Sequence, residues 1–336
     1  MNRRRFLTVS GTSAAVLRYS GTGLVLGARA EDAWPGRQIS MIVPFPPGGQ
    51  ADFAARPVAD ALSHVLGVPV LVENRAGAGG AIGNTAVARA APDGYKLLMT
   101  LSSLAVLVEA QKLFGLAPSY SMDMLIPIAR VLADPAVLSV HKAQPHKTIQ
   151  DFIADAKARP GQITFASSGH YGTTHVPMEM LSRAAGITLQ HVPYRGAGPA
   201  MNDVIAGQIN CLAAAPATTK PQEQAGNIRT LASFGAERVA AFSDVPTFRE
   251  IGFPAAEYYI WAGLFAPQGT PQPIMDRLRA AMREVMTDPK VIQIFAGVGS
   301  PPAYLDAPEF ASFIGTDSER LIKAVRAIGK IEGKLE

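Results

Sequence analysis

The stretch Val43-Pro44-Phe45-Pro46-Pro47-Gly48-Gly49-Gln50-Ala51-Asp52 constrains the fold more than any other part of this 336-residue chain. It follows an apolar run over 39–43 and precedes a helical pattern in which Phe53, Pro57, Val58, Ala61, Leu62 and Val65 share one face. Three prolines fix φ and remove donors, while two glycines permit backbone angles that a side chain forbids, so the next free N–H groups converge at a helix start. Such a place suits an anion. The order strand, turn, helix then recurs. Residues 69–72 lead through Glu73-Asn74-Arg75 into Gly77-Ala78-Gly79-Gly80-Ala81-Ile82-Gly83 and a helix to about Ala90, and 95–100 lead into Leu101-Ser102-Ser103. This alternation predicts an α/β fold of mainly parallel sheets flanked by helices, with ligands at the carboxyl ends of the strands.

A long apolar run over 126–132 continues into 136–140, enough to leave one domain and enter another. The second unit repeats the pattern: a helix over 148–158, a strand over 162–166, the turn Ser167-Ser168-Gly169-His170-Tyr171-Gly172-Thr173, and a helix over 175–185. A strand over 189–192, the turn Pro193-Tyr194-Arg195-Gly196-Ala197-Gly198, a helix over 199–206 and a strand over 209–213 follow. A return strand is predicted over 257–265, then helices over 274–287, 288–295, 308–313 and 318–328. Two crossings predict a discontinuous first domain (38–131 with 263–336), a second domain (132–262), a hinge near 129–132 and 259–263, and a cleft between the domains.

Hydrophobic residues make up 48% of the chain, ample for two cores, and charged residues only 17%. The net charge of +4 is misleading as a hint of a nucleic-acid partner. Arg3, Arg4, Arg5, Arg18 and Arg29 all precede Glu31, and without those five positives the charge falls to −1. Arg3-Arg4-Arg5-Phe6-Leu7, the weakly apolar run over 9–26 and Ala28-Arg29-Ala30 form the pattern of a twin-arginine signal peptide over 1–30 cleaved after Ala30, which predicts export to the periplasm. Arg18 and the glycines around it interrupt that run too often for a membrane anchor. Cys211 is the single cysteine and reads as a small core residue.

Four segments carry a family resemblance: 43–52, Val72-Glu73-Asn74-Arg75-Ala76-Gly77-Ala78-Gly79-Gly80, His191-Val192-Pro193-Tyr194-Arg195-Gly196-Ala197-Gly198-Pro199-Ala200, and Trp261-Ala262-Gly263-Leu264-Phe265-Ala266-Pro267-Gln268-Gly269-Thr270-Pro271. In this order they closely resemble the tripartite tricarboxylate transporter substrate-binding proteins, the Bug family. The resemblance implies a monomeric, two-domain periplasmic-binding-protein-like receptor of the type II kind. It would close on a small organic carboxylate, partly through water, and deliver it to a membrane permease, with no catalysis, cofactor or metal. It assigns ligand-binding roles to Phe45, Gly48, Gly49 and Asp52 on the first turn, and to Ala78 and Gly79 on the Gly-rich turn. In the second domain it assigns them to Ser167, Ser168, Gly169 and Thr173 on one loop and to Tyr194, Arg195, Gly196 and Ala197 on the next. Where the family pattern is polar, this chain has Leu101-Ser102-Ser103-Leu104-Ala105-Val106. Ser102 is the candidate contact there, and the apolar wall around it points to a solute with an apolar or aromatic portion.

Other readings of the same residues compete. Asp52 could face the ligand, but an aspartate at a helix start is more often a cap. Arg195 suits a bidentate carboxylate contact or a brace for Tyr194. Ser167 or Ser168 with His170 or His175 would suit a periplasmic hydrolase, but the Gly-x-Ser-x-Gly elbow is missing and no acidic residue stands nearby to orient a histidine. Gly77, Gly79 and Gly83 have the wrong spacing for a dinucleotide turn, and the histidines form no metal-binding pattern. Trp261 and the Tyr258-Tyr259 pair are expected near the domain crossing. A ligand sensor for a membrane signalling partner would use the same pocket as a transport receptor.

Overall fold

The computed structural model describes residues 34–331. The predicted signal peptide and its cleavage point lie outside the described residues. The chain builds β1 (Ile39–Val43), α1 (Gln50–Leu66), β2 (Val70–Asn74), α2 (Ala81–Ala88), β3 (Lys96–Leu101), α3 (Ser103–Leu113) and β4 (Leu125–Pro135). It continues through β5 (Val137–His141), α4 (Ile149–Ala158), β6 (Thr164–Ser167), α5 (Val176–Ala185), β7 (Gln190–Pro193), α6 (Ala197–Ile205), β8 (Cys211–Ala214), α7 (Pro216–Gln224) and β9 (Ile228–Ser233). The last part is β10 (Tyr259–Pro267), α8 (Gln272–Thr287), α9 (Pro289–Gly297), β11 (Leu305–Asp306) and α10 (Ala307–Ile328).

Local chemistry explains most boundaries. α1 ends at Gly67, which takes the left-handed angles (φ 73) that release the chain into β2. α4 starts on a capping box, Thr148 accepting from the Asp151 N–H while Asp151 accepts from Thr148. The face α1 turns inward is rich in small residues, Ala51, Ala54, Ala55 and Ala59 beside Val58 and Leu62, so the helix lies close on its sheet.

The architecture is α/β, with two sheets flanked by helices. The first has the strand order β11-β4-β10-β3-β1-β2 and the second β7-β6-β8-β5-β9. The expectation of mainly parallel sheets holds only for part of each. β1, β2 and β3 are parallel, as are β6, β7 and β8, whereas β10 runs antiparallel to β3 and β4, and β5 antiparallel to β8 and β9. The difference has a topological cause. β4 and β10 carry the chain out of the first sheet and back into it, so they run in opposite directions side by side. The crossing is tied by backbone bonds: the Ala136 N–H donates to the Tyr258 carbonyl (3.2 Å), and Phe234 donates to Ala136 (2.8 Å).

Three helical expectations change. Residues 101–106 are not a turn wall: all but the first two begin α3, whose residues are buried on several faces and therefore lack a helical period. α7 went unpredicted because Thr-Thr-Lys-Pro-Gln-Glu-Gln is polar and carries an internal proline. The two helices predicted over 308–313 and 318–328 are one, α10. Asp317 near its middle is buried, accepting from the Trp261 indole N–H (2.8 Å) and from Arg320, so a tertiary contact supports the turn that Gly315 weakens. Trp261 packs edge-on against Phe310 and Phe313 beneath the crossing.

Candidate functional site

The parallel strands of the two sheets deliver their carboxyl-end loops to a common space. Pro46 and Pro47, between β1 and α1, meet the loop between β7 and α6: a Cβ on Gly196 would stand 2.5 Å from Pro46 Cδ, and one on Gly198 2.8 Å from the Pro47 carbonyl oxygen. Gly196 has φ +130, so both conformation and space demand glycine. The Gly-rich turn after β2 likewise meets the loop after β6, with Gly79 Cα 3.7 Å from the Cβ position of Gly169.

Two compartments lie between these loops. The outer cleft has a volume of about 680 Å³ and is bounded by Pro44, Phe45, Pro46, 76–80 and Ile82 on one side, and by Ser168, Gly169, His170, Pro193, Tyr194 and Arg195 on the other. Behind it is an inner chamber of about 20 Å³, lined by Phe45, Gly49, Gln50, Ala51, Leu101, Ser168, Thr173, Thr174, Ala197, Ala214, Ala215, Thr218 and Ile260. Phe45 and Ser168 border both. The volume suits about one water molecule.

The chamber's chemistry is set by helix ends. α1, α6 and α7 begin at its wall, after Gly49, Gly196 and Ala215; α1 and α6 have no side-chain cap, whereas α7 opens on Pro216, which has no N–H, and its Ala217 N–H donates to Ser300 Oγ. The first N–H groups of α1 and α6 have no intrahelical acceptor, and the dipoles of the helices favour negative charge. Hydroxyls of Ser168, Thr173, Thr174 and Thr218 add polar groups, and no lysine or arginine lines the chamber. An anion placed here would meet oriented N–H and O–H dipoles.

Asp52 shapes this wall from behind. It is 5% exposed, and its carboxylate accepts from the Gly48 N–H (3.1 Å), from Asn74 Nδ2 (3.0 Å) and from Arg56 through Nε (3.0 Å) and a terminal nitrogen (2.8 Å). Burial pushes its pKa up, but Arg56, Asn74 and Gly48 together outweigh burial and leave it below the usual aspartate value. Asn74 also donates to the Phe45 carbonyl (2.9 Å), so one network holds both ends of the turn.

Phe45, Gly49, Ala78, Gly79, Ser168, Gly169, Thr173, Tyr194, Arg195 and Ala197 therefore face one compartment or the other. Gly48, Asp52, Ser102, Ser167 and Gly196 line neither. Ser102 is fully buried and follows Leu101, which lines the chamber. The Tyr194 hydroxyl donates to Asp203 (2.5 Å), and burial followed by that carboxylate pushes its pKa to about 12. Arg195 is exposed at the mouth of the outer cleft, with no hydrogen bond or ion pair to another described residue. It does not brace Tyr194.

Ser167 is bonded to His191 Nε2 (2.6 Å), not to His170 or His175. Burial, and then the neighbouring His175 and His170, depress the His191 pKa to about 2, too low for a general base. Ser167 is completely buried, and its neighbourhood is a stack of rings in which His191 lies 4.8 Å from Phe165 and 4.1 Å from His175. This pair braces the β6–α5 loop.

Sequence reasoning missed Gln50, Ala51, Thr174, Ala214, Ala215, Thr218 and Ile260 in the chamber. The run Cys211-Leu212-Ala213-Ala214-Ala215-Pro216 repeats the strand-to-proline-turn pattern and would have located the third helix start. Nothing in the sequence marks Ile260, which arrives from the distant return strand.

The chain is similar to known proteins over most of its length. Residues 54–330 match the model of the tripartite tricarboxylate transporter family receptor. The protein BugT of Bordetella pertussis is 34% identical over 98% of this chain and 99% of its own. The structure of MatC from Rhodopseudomonas palustris with bound malate superposes with a TM-score of 0.80 at 28% identity, covering 87% of this chain and 99% of that one. A second R. palustris protein, solved with adipate, gives 0.82 at 27% identity, covering 88% and 98%. On the strength of the family match and the near full-length similarity to BugT, this chain belongs to the tripartite tricarboxylate transporter family of receptors.

Proposed function

We propose that the chain is an exported periplasmic receptor that binds a small organic carboxylate between two lobes and hands it to a membrane permease, acting as a monomer and without catalysis. The observation that carries this reading is the convergence of three helix starts, two of them uncapped, on one chamber lined by no lysine or arginine. A carboxylate head enters the inner chamber and its body extends into the outer cleft, beside Phe45, Ile82 and Tyr194, with Arg195 at the mouth for a second anionic group. The relatives solved with malate and adipate, both dicarboxylates, support this ligand class. The lobes are 38–131 with 263–336, and 132–262. The chamber in its present form is too small for a carboxylate, so entry requires the lobes to separate and re-close on the guest.

Isothermal titration of the protein lacking residues 1–30 against mono-, di- and aromatic carboxylates tests the reading. Saturable one-to-one binding of at least one acid is expected, and its weakening by Thr173→Val or Thr218→Val would locate the head group in the chamber. Absence of binding across the panel, with turnover of an ester instead, would favour the hydrolase. Fractionation of cells expressing the full chain tests export.

A further inference from the structure

We propose that Gln50 selects the ligand: its carbonyl oxygen accepts a hydrogen bond from a hydroxyl next to the bound carboxylate, so that the receptor prefers 2-hydroxycarboxylates to otherwise identical acids. This inference rests on the receptor reading above. Gln50 is the first residue of α1, is 4% exposed and lines the inner chamber. One end of its planar amide is committed, with Nε2 donating to the buried Asp134 carboxylate. The other end, Oε1, is buried without a hydrogen-bond partner. A buried acceptor left without a donor is rare in folded proteins. The remaining chamber wall supplies backbone N–H groups and hydroxyls, which satisfy a carboxylate. Gln50 Oε1 can only accept, so its complement is a donor on the guest.

Asp134 is the positioning residue. An ionised carboxylate takes only the amide N–H₂ end, which turns the carbonyl away from Asp134. The groups facing Asp134 are Gln50 on α1 and the hydroxyl of Ser300 between α9 and β11, with Ile260 opposite on β10. Ser300 Oγ also accepts from the Ala217 N–H at the start of α7 (3.1 Å). No charged side chain is among the causes that set this carboxyl. Burial pushes its pKa up to about 7, against the weaker opposing bonds from Ser300 and Gln50. Once protonated, Asp134 can donate to the amide oxygen, and the amide can then present N–H₂ to the chamber. Preference for the hydroxyl should therefore fade on acidification.

The test is isothermal titration with three matched pairs: lactate and propionate, malate and succinate, 2-hydroxyadipate and adipate. Wild type, Gln50→Leu and Asp134→Asn are compared at pH 8 and pH 5.5, each variant first checked for native near-UV circular dichroism. For the pair that binds most tightly, wild type at pH 8 should favour the hydroxy acid by about tenfold or more. Gln50→Leu should bring that ratio close to one at both pH values. Asp134→Asn should reduce it at pH 8 towards the wild-type ratio at pH 5.5. Equal wild-type affinities within every pair, or an unchanged ratio in Gln50→Leu, would overturn the inference and leave the receptor reading standing. Binding of none of the six acids, nor of any member of the wider panel, would overturn both.

Discussion

Asp134 and Asp52 are two buried carboxyls whose surroundings push them in opposite directions, and the contrast makes a prediction at the scale of single residues. For Asp134, burial dominates and the folded pKa is about 7, against an ordinary 3.8. The unfolded group has lost its proton in a range where the folded one still holds it, so its contribution to stability is complete below about pH 4 and is lost as pH rises through 7. Asp134→Asn should therefore stabilise the protein at pH 8, by on the order of 4 kcal/mol at most, seen as a raised melting temperature, and have little effect near pH 4. Asp52 behaves the other way, because Arg56, Asn74 and Gly48 overcome its burial. Its contribution is present above the ordinary aspartate value and disappears as pH falls through the lower folded value. Asp52→Asn should cost about 1–3 kcal/mol at pH 7, measured by urea unfolding, and less at acid pH. Asp52 was legible as a residue that matters, because an aspartate in the first turn of a helix is a recognisable pattern. Its role as anchor needed the position of Asn74, brought in by β2.

At the scale of elements, the turns after β1 and β7 control how closely the two sides approach. A methyl group at residue 198 would meet the backbone oxygen of Pro47, which cannot rotate away as a side chain could. Gly198→Ala should hold the two loops apart and weaken carboxylate binding by about 1–3 kcal/mol, the usual cost of overpacking, while the melting temperature of the ligand-free protein changes little. Titration and differential scanning calorimetry on the same preparation check both halves. The strand-turn-helix units after β1, β2, β6 and β7 could be read because each combines an apolar run with a Pro/Gly turn. α3 and α7 could not. One is buried on too many sides to show a period and the other is too polar to suggest any burial, yet α7 supplies one of the three helix starts around the chamber.

At the scale of the molecule, the two sheets are joined through Pro135–Ala136 and Tyr258, with Asp134 immediately before the first crossing. The residues expected to hinge, 129–132 and 259–263, lie largely within the β4–β10 ladder, which favours bending at its end. Small-angle scattering should show a decrease in radius of gyration when a carboxylate saturates the protein, and an unchanged radius would indicate a rigid cavity. By itself, the sequence determined the α/β class, the loops that meet around the cleft and the family, because these follow from local periodicity, turn chemistry and contiguous motifs. Only the tertiary structure decided that Gln50 faces a chamber with an unpaired oxygen, that Ser167 is held by His191, and that Asp134 is buried against Gln50. Those properties belong to neighbours separated by tens of residues along the chain, and burial and pairing are set by what the fold places alongside.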